Sequence, residues 1–155
     1  AALRERDAHK QYLALVAGQW PKRRRRIDAP LLRNVLRSGE RIVQVDESAG
    51  KAAATDFEVL ERGDDCSLVR AHPITGRTHQ IRVHALSAGH AIAGDPKYGD
   101  EKFNAFMSKR GLRRLFLHAE RLRIDALELD VQAPLEPSLA EVIVGLGFSV
   151  PRARR

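Results

Sequence analysis

HPITGRTHQIRVHALSAGHAIAGDPKYGD, running from His72 to Asp100, holds four of the chain's six histidines and two arginines around one helix-length segment. Pro73 and Gly76 mark a turn after the apolar run Cys66 to Val69. Either Thr75 or Thr78 is placed to cap a helix over roughly 78–88, which Gly89 ends. At about 100° per residue, Ile81, Ala85, Arg82, Leu86, His79 and Val83 share one broad arc, with Gln80, His84 and Ser87 opposite. Arg82 therefore lies on the less polar face. A guanidinium there keeps its charge, so it needs either an oxygen acceptor for its forked hydrogen bonds or a path to solvent along its aliphatic stem.

Working outward from this stretch, strands dominate the upstream half. Residues 53–61 and 65–71 read as two antiparallel strands joined at Gly63-Asp64, and 41–45 as another strand. A short strand over 26–32 is interrupted by Pro30, and 34–40 reads as a loop or tight turn. Tyr12 to Val16 alternates large residues with alanine and closes at Gly18, which suits a strand of a buried sheet. The polar segment before Tyr12 has Leu3 as its only large apolar residue and reads as the end of a helix. Downstream, 101–110 suits a short helix with Phe103, Phe106 and Met107 on one face. Residues 115–124 and 127–131 form a strand pair, and 138–146 a last helix capped by Ser138. Strands broken by two or three helices predict an α+β fold, with a mostly antiparallel sheet and flanking helices.

A length of 155 residues, 43% of them hydrophobic, suits one domain over 1–150 followed by a short basic tail, 151–155. No apolar run approaches the roughly 20 residues of a membrane helix, and the first residues have no secretory pattern, so a cytoplasmic protein with no membrane partner is expected. Cys66, the single cysteine, reads as a small buried hydrophobe. The histidines lack metal-binding spacing and have no thiolate companions, so no metal is expected.

The net charge of +7 has a local source. Between Lys22 and Arg41 eight basic residues face two acidic ones, which favours a polyanionic partner. The tract Lys22, Arg23, Arg24, Arg25 and Arg26 suits contact with an RNA backbone, a solvated loop or a nuclear-import signal, and composition leaves these open.

Gly76-Arg77-Thr78-His79-Gln80-Ile81-Arg82-Val83-His84, followed by Gly89 to Asp95 and Tyr98-Gly99, resembles the signature of the RluA-type pseudouridine synthases, and most of all their RluC type, which modifies large-subunit ribosomal RNA. The likeness recurs in Lys10 to Val16 and in Leu115 to Ala119. It implies a curved mixed sheet with helices around an RNA-binding cleft, isomerisation of uridine to pseudouridine without a cofactor, and a 23S-type ribosomal RNA partner. It also implies site roles. Tyr12 would stack on the target base, Arg82 would pair with a nucleophilic aspartate, and Leu117 would form an apolar wall. Arg77, His79 and Gln80 of the signature would contact the substrate. The family carries its aspartate in a His-Arg-Leu-Asp-x-x-Thr-Ser-Gly segment, which this sequence lacks; Asp7, the nearest aspartate before Tyr12, has a different context. The chain is therefore expected to be the C-terminal portion of a catalytic domain, inactive alone. A degenerate relative, or a basic RNA-binding module without chemistry, is the alternative. Without its aspartate, Arg82 is expected to turn to solvent or another acid, and its loss to be neutral or mildly stabilising.

Overall fold

The computed structural model describes residues 7–21 and 23–152. Among these residues eight strands and three α-helices follow one another as β1 (Ala8–Ala17), β2 (Arg24–Asp28), β3 (Leu31–Val35), β4 (Arg41–Val45), β5 (Ala54–Arg62), β6 (Cys66–Pro73), α1 (Gln80–Ser87), α2 (Glu101–Ser108), β7 (Leu117–Ile124), β8 (Leu129–Gln132) and α3 (Pro137–Gly145). Six strands form one sheet in the order β2-β5-β6-β1-β7-β8, and β3 and β4 form a separate hairpin. The fold is α+β. Every pairing among the described strands is antiparallel, so the parallel component implied by the resemblance is not found among them.

β1 lies at the centre because its residues are apolar on both faces. Successive side chains of a strand point to opposite sides, and here both sides are covered. Leu13 and Leu15 enter one core with Leu68 of β6, Phe116 just before β7, and Phe103, Met107, Leu139, Ile143 and Phe148 from α2, α3 and the chain after α3. Ala14 and Val16 enter the other with Trp20, Phe57, Val69 and Ile92, closed by Ile81 and Ala85 of α1. Full burial of one such leucine is worth about 2 kcal/mol. Cys66 is in the first core, and burial pushes its thiol up to about 11, which leaves it inert at neutral pH.

Several local expectations are corrected. β1 begins at Ala8, four residues before the apolar run, because 8–11 pair with β7 at Ile124 to Arg121, and a bulge at Gln11/Tyr12 separates the two registers. The end of a helix expected before Tyr12 falls largely on residues 1–6, outside the described residues. β2 and β3 are separate strands, split at Ala29-Pro30, and β3 runs on into the segment expected to be a loop. α1 starts at Gln80, with neither threonine capping it; His79 holds the N-cap position with φ 53° and makes no side-chain cap bond. Nor does Ser138 cap α3. The N-cap is Glu136, Pro137 opens the helix, and the Ser138 hydroxyl donates to Glu136 Oε1 at 2.7 Å.

The polar face assigned to α1 is also wrong. Gln80 and His84 are buried while Leu86 is exposed. His84 Nε2 lies 2.9 Å from the Ala29 carbonyl and Nδ1 lies 2.7 Å from Thr55 Oγ1. A carbonyl can only accept, so Nε2 carries the proton and Nδ1 accepts from Thr55. Gln80 Nε2 donates to Thr55 Oγ1 at 2.9 Å and to the Ala54 carbonyl at 2.8 Å. α1 is thus fastened to β5 and to the β2–β3 break through polar side chains whose partners are distant in sequence. On the other side of the sheet Arg70 and Glu120, 3% and 2% exposed, form a forked pair at 3.0 and 3.1 Å, to which Gln11 adds a bond. Arg70 Nη2 also donates to the Arg152 carbonyl, which fixes the start of the basic tail.

Candidate active site

An open cleft of about 380 Å³ lies where β1, β7 and the start of α1 converge. Tyr12 and Lys10 reach it from β1, Leu117 from β7 with Leu115 just before that strand, Pro73 to Arg77 from the turn after β6, and His79 to Arg82 from the head of α1. The six residues to which the resemblance gives a catalytic or substrate-binding role, Tyr12, Arg77, His79, Gln80, Arg82 and Leu117, all line this one space. Ile74, Leu115 and Leu117 make its apolar wall. Tyr12 is half-buried, and burial raises its phenol above the ordinary value, so it stays protonated at neutral pH.

The turn into α1 sets these side chains. Gln80 Oε1 accepts from Thr75 Oγ1 at 2.5 Å and from the Arg77 amide at 3.1 Å, while both protons of its Nε2 are taken by Ala54 and Thr55. All four hydrogen-bonding positions of that amide are used within the protein, so Gln80 shapes the cleft rather than offering it a free group. Arg77 Nε donates to the Ala52 carbonyl at 3.0 Å, which orients its guanidinium along the rim.

Of the outcomes expected for Arg82 in this chain, solvent or another acid, the structure shows the acid, Asp95. Its Nε and Nη2 donate to Asp95 Oδ2 and Oδ1 at 2.9 and 2.7 Å. The Asp95 side chain is 1% exposed and that of Arg82 16%. Burial alone would raise the Asp95 carboxyl. The Arg82 fork, together with the amides of Tyr98 and Lys97 at 3.0 Å, outweighs burial and holds it below the usual carboxylate range. Helix periodicity put Arg82 among apolar neighbours correctly, but it could not see a carboxylate thirteen residues on, carried by the loop after Gly94. The guanidinium also lies 5.0 Å over the Tyr98 ring. Nη1 has no partner among the described residues, so Arg82 can hold Asp95 with one edge and still present donors to the cleft. Asp95 does not line the cleft, nor does any other aspartate or glutamate among the described residues.

The basic tract lies apart. Lys22 is outside the described residues, Arg23 is exposed, and Arg24, Arg25 and Arg26 line a second groove with Asp56, Phe57, Glu58 and His72. Arg26 forms a forked pair with Asp56 at 2.6 and 2.9 Å, and Arg24 approaches Glu58 at 3.4 Å. A third hollow joins the other two, since it shares His72 with the basic groove and Lys10 with the cleft; its other walls are His9, Gln11, Arg121 and Arg123. Sequence reasoning missed these residues. The available signal was the alternation of Arg121 and Arg123 in one strand, which puts both on the same face.

Among the described residues no group of His, Cys, Asp or Glu is arranged to hold a metal ion, and no helix is long and apolar enough to cross a membrane.

Two kinds of comparison bear on this arrangement. In structure, the chain matches human RNA Pseudouridylate Synthase Domain Containing 1 with a TM-score of 0.72 and 35% identity, covering 89% of this chain and 60% of that one. It matches human RNA Pseudouridylate Synthase Domain Containing 4 with a TM-score of 0.75 and 25% identity, covering 95% and 65%. In sequence, it is 49% identical over 148 residues to Ribosomal large subunit pseudouridine synthase C of Pasteurella multocida, and 48% identical over 143 residues to the protein of the same name from Escherichia coli. These alignments cover 93% and 88% of this chain but 45% and 44% of those proteins, so the chain spans a little under half the length of its relatives. The family profile described as RNA pseudouridylate synthase matches residues 1–87, which include β1, the signature turn and nearly all of the cleft wall, and the chain belongs to that family.

Proposed function

We propose that this chain is the C-terminal portion of the catalytic domain of a cytoplasmic pseudouridine synthase acting on large-subunit ribosomal RNA, and that it supplies the base-binding half of the active site but not the nucleophile. The observation that carries this reading is the composition of the cleft. Tyr12, Leu117 and Arg82 share a space sized for a nucleoside, and no carboxylate among the described residues lines it. Moving uracil from its nitrogen link to a carbon link on ribose needs a nucleophile or base at the sugar. Leucine and arginine can enclose and polarise the uracil but cannot supply such a group, and the Tyr12 phenol, which burial keeps protonated at neutral pH, is poorly suited to it. An aspartate delivered from a preceding segment would meet the free edge of Arg82, whose remaining donors would hold it ionised. The relatives' greater length and their names support the reading, as does the absence of the family's aspartate segment from the sequence.

The test compares this chain with its complete parent on large-subunit ribosomal RNA and counts pseudouridine formed. The parent is expected to turn over and the chain alone to form none. Turnover by the pure chain would overturn the assignment of a missing nucleophile. An inactive parent that still binds RNA would favour the basic RNA-binding module.

A further inference from the structure

His79 stands at the lip of the cleft in a backbone conformation that L-residues avoid. Its φ of 53° is one of two positive values at non-glycine residues among those described, the other being Glu128 in a surface turn. The conformation yields no capping bond for α1. Its consequence lies in the side chain, since His79 Nδ1 sits 2.8 Å from the Tyr98 hydroxyl, with the two rings edge to face at 5.5 Å. Residues held in such backbone regions persist where the surroundings over-determine them, and they gather at ligand sites.

Proton accounting assigns every role in this contact. The Val43 amide lies 2.9 Å from Tyr98 Oη and can only donate, so the oxygen accepts there. The buried phenol is left with its own proton, and the acceptor it meets among the described residues is His79 Nδ1. An imidazole nitrogen that accepts carries no proton, so the ring proton must be on Nε2. Nε2 has no partner among the described residues, and His79 lines the cleft beside Arg82 and Gln80.

We propose that Tyr98 is a positioning residue which, by donating to His79 Nδ1, locks His79 as the Nε2–H tautomer and so presents a fixed, uncharged donor to a carbonyl oxygen of the base bound in the cleft. Val43 ties this donor to the β3–β4 hairpin. The surroundings agree. Burial first, then Arg82, Lys97 and Arg41, press His79 below the ordinary imidazole value against the single opposing charge of Asp95, so the ring stays neutral at physiological pH. Arg82 and Arg77 already supply positive charge at the cleft. A neutral donor adds orientation toward a neutral carbonyl without drawing a phosphate into the base's place. The inference rests on the proposed reading of the cleft as a uridine site.

Nitrogen NMR of the histidine rings in the intact chain reads the tautomer directly. His79 is expected as the Nε2–H tautomer wherever the ring is neutral, with protonation setting in below the pH at which a free imidazole titrates, and a neutral ring that is mixed or Nδ1–H would overturn the proposal before any ligand is added. Tyr98→Phe should release the ring to both tautomers and let it titrate nearer the ordinary value, while a His79 spectrum identical to that of the wild type would overturn the role of Tyr98. If that variant does not fold, the wild-type spectrum still decides. Adding single-stranded oligouridine should shift Nε2. His79→Ala should weaken binding by about 3- to 10-fold, the worth of one neutral hydrogen bond, and His79→Gln should restore part of the loss. Ribose 5-phosphate shifting Nε2 as far as oligouridine does would overturn the carbonyl assignment. If resonances of Tyr12 and Leu117 move while Nε2 does not, the uridine site stands and this proposal falls; if none of them moves, both fall.

Discussion

Arg82 and Asp95 show how one residue pair can serve both stability and chemistry. Asp95 is buried and accepts two backbone amides, so it remains partly satisfied without its arginine, but its charge is then uncompensated. Removing one partner of a buried pair costs roughly 3–5 kcal/mol, and the retained amide bonds put this case at about 3 kcal/mol. Arg82→Met in this chain is therefore predicted to be destabilising. The sign with pH follows from the direction of the shift. Asp95 is held below its unfolded value, so its contribution is complete above about pH 4 and is lost as pH falls through the lower folded value. In Arg82→Met, burial is opposed by the two backbone amides alone, so the Asp95 carboxyl rises from its wild-type value, and the deficit relative to wild type is largest at neutral pH and narrows in acid. Urea unfolding of both proteins at pH 7 and pH 4 measures this, and an equal deficit at the two values would mean that Asp95 does not carry the effect.

At the scale of the element, α1 shows what could and could not be read from the sequence. The paired strands β5 and β6, the turn after Pro73 and the helix itself were all visible, because turn residues and strand alternation act locally. The buried face was not visible. Periodicity assigns polar residues outward, whereas Gln80 and His84 point inward because Thr55, Ala54 and Ala29, 25 to 55 residues away, hold their polar atoms. The early start of β1 was hidden for the same reason, since it depends on pairing with β7 more than 100 residues later. The cleft residues were named from the family signature, and no spacing rule would have brought Tyr12, Arg82 and Leu117 together. The Thr55 hydroxyl is the joint of this arrangement. Thr55→Val keeps the shape but leaves His84 Nδ1 unpaired in the core, and thermal or urea unfolding should show a loss of about 1–3 kcal/mol. Burial, more than any other influence, lowers His84 below the ordinary value near 6.5, so the stability it contributes is complete above that pH and falls as acid forces protonation. His79 acts in the same direction. The melting temperature of the wild type should accordingly drop between pH 7 and pH 5. A flat profile would mean that neither ring is held neutral.

For the whole molecule, the net charge of +7 matters through where it is free to act. The basic groove, the hollow at His72 and the cleft adjoin through shared residues, so a polyanion crossing β2 toward Tyr12 would meet cationic side chains along its path. Counterion release makes log affinity fall linearly with log salt, by about 0.7 per neutralised phosphate for a single strand. The five-residue tract does not contribute five such contacts. Arg24 and Arg26 already face Glu58 and Asp56, so an RNA phosphate gains from them only by displacing a carboxylate. Arg23 and Arg25 have no acidic partner among the described residues and are exposed. Replacing both with serine should lower the slope of log affinity against log salt by about 1.4, the sum of two single-strand contacts. Arg26→Ser should change it less, because the substitution also frees Asp56 to repel the backbone and thus lowers affinity with little loss of slope. Fluorescence anisotropy of a labelled single strand between 50 and 300 mM salt separates the two effects. A double variant with an unchanged slope would remove β2 from the RNA path and leave Lys10, Arg121 and Arg123 to carry the backbone toward the cleft.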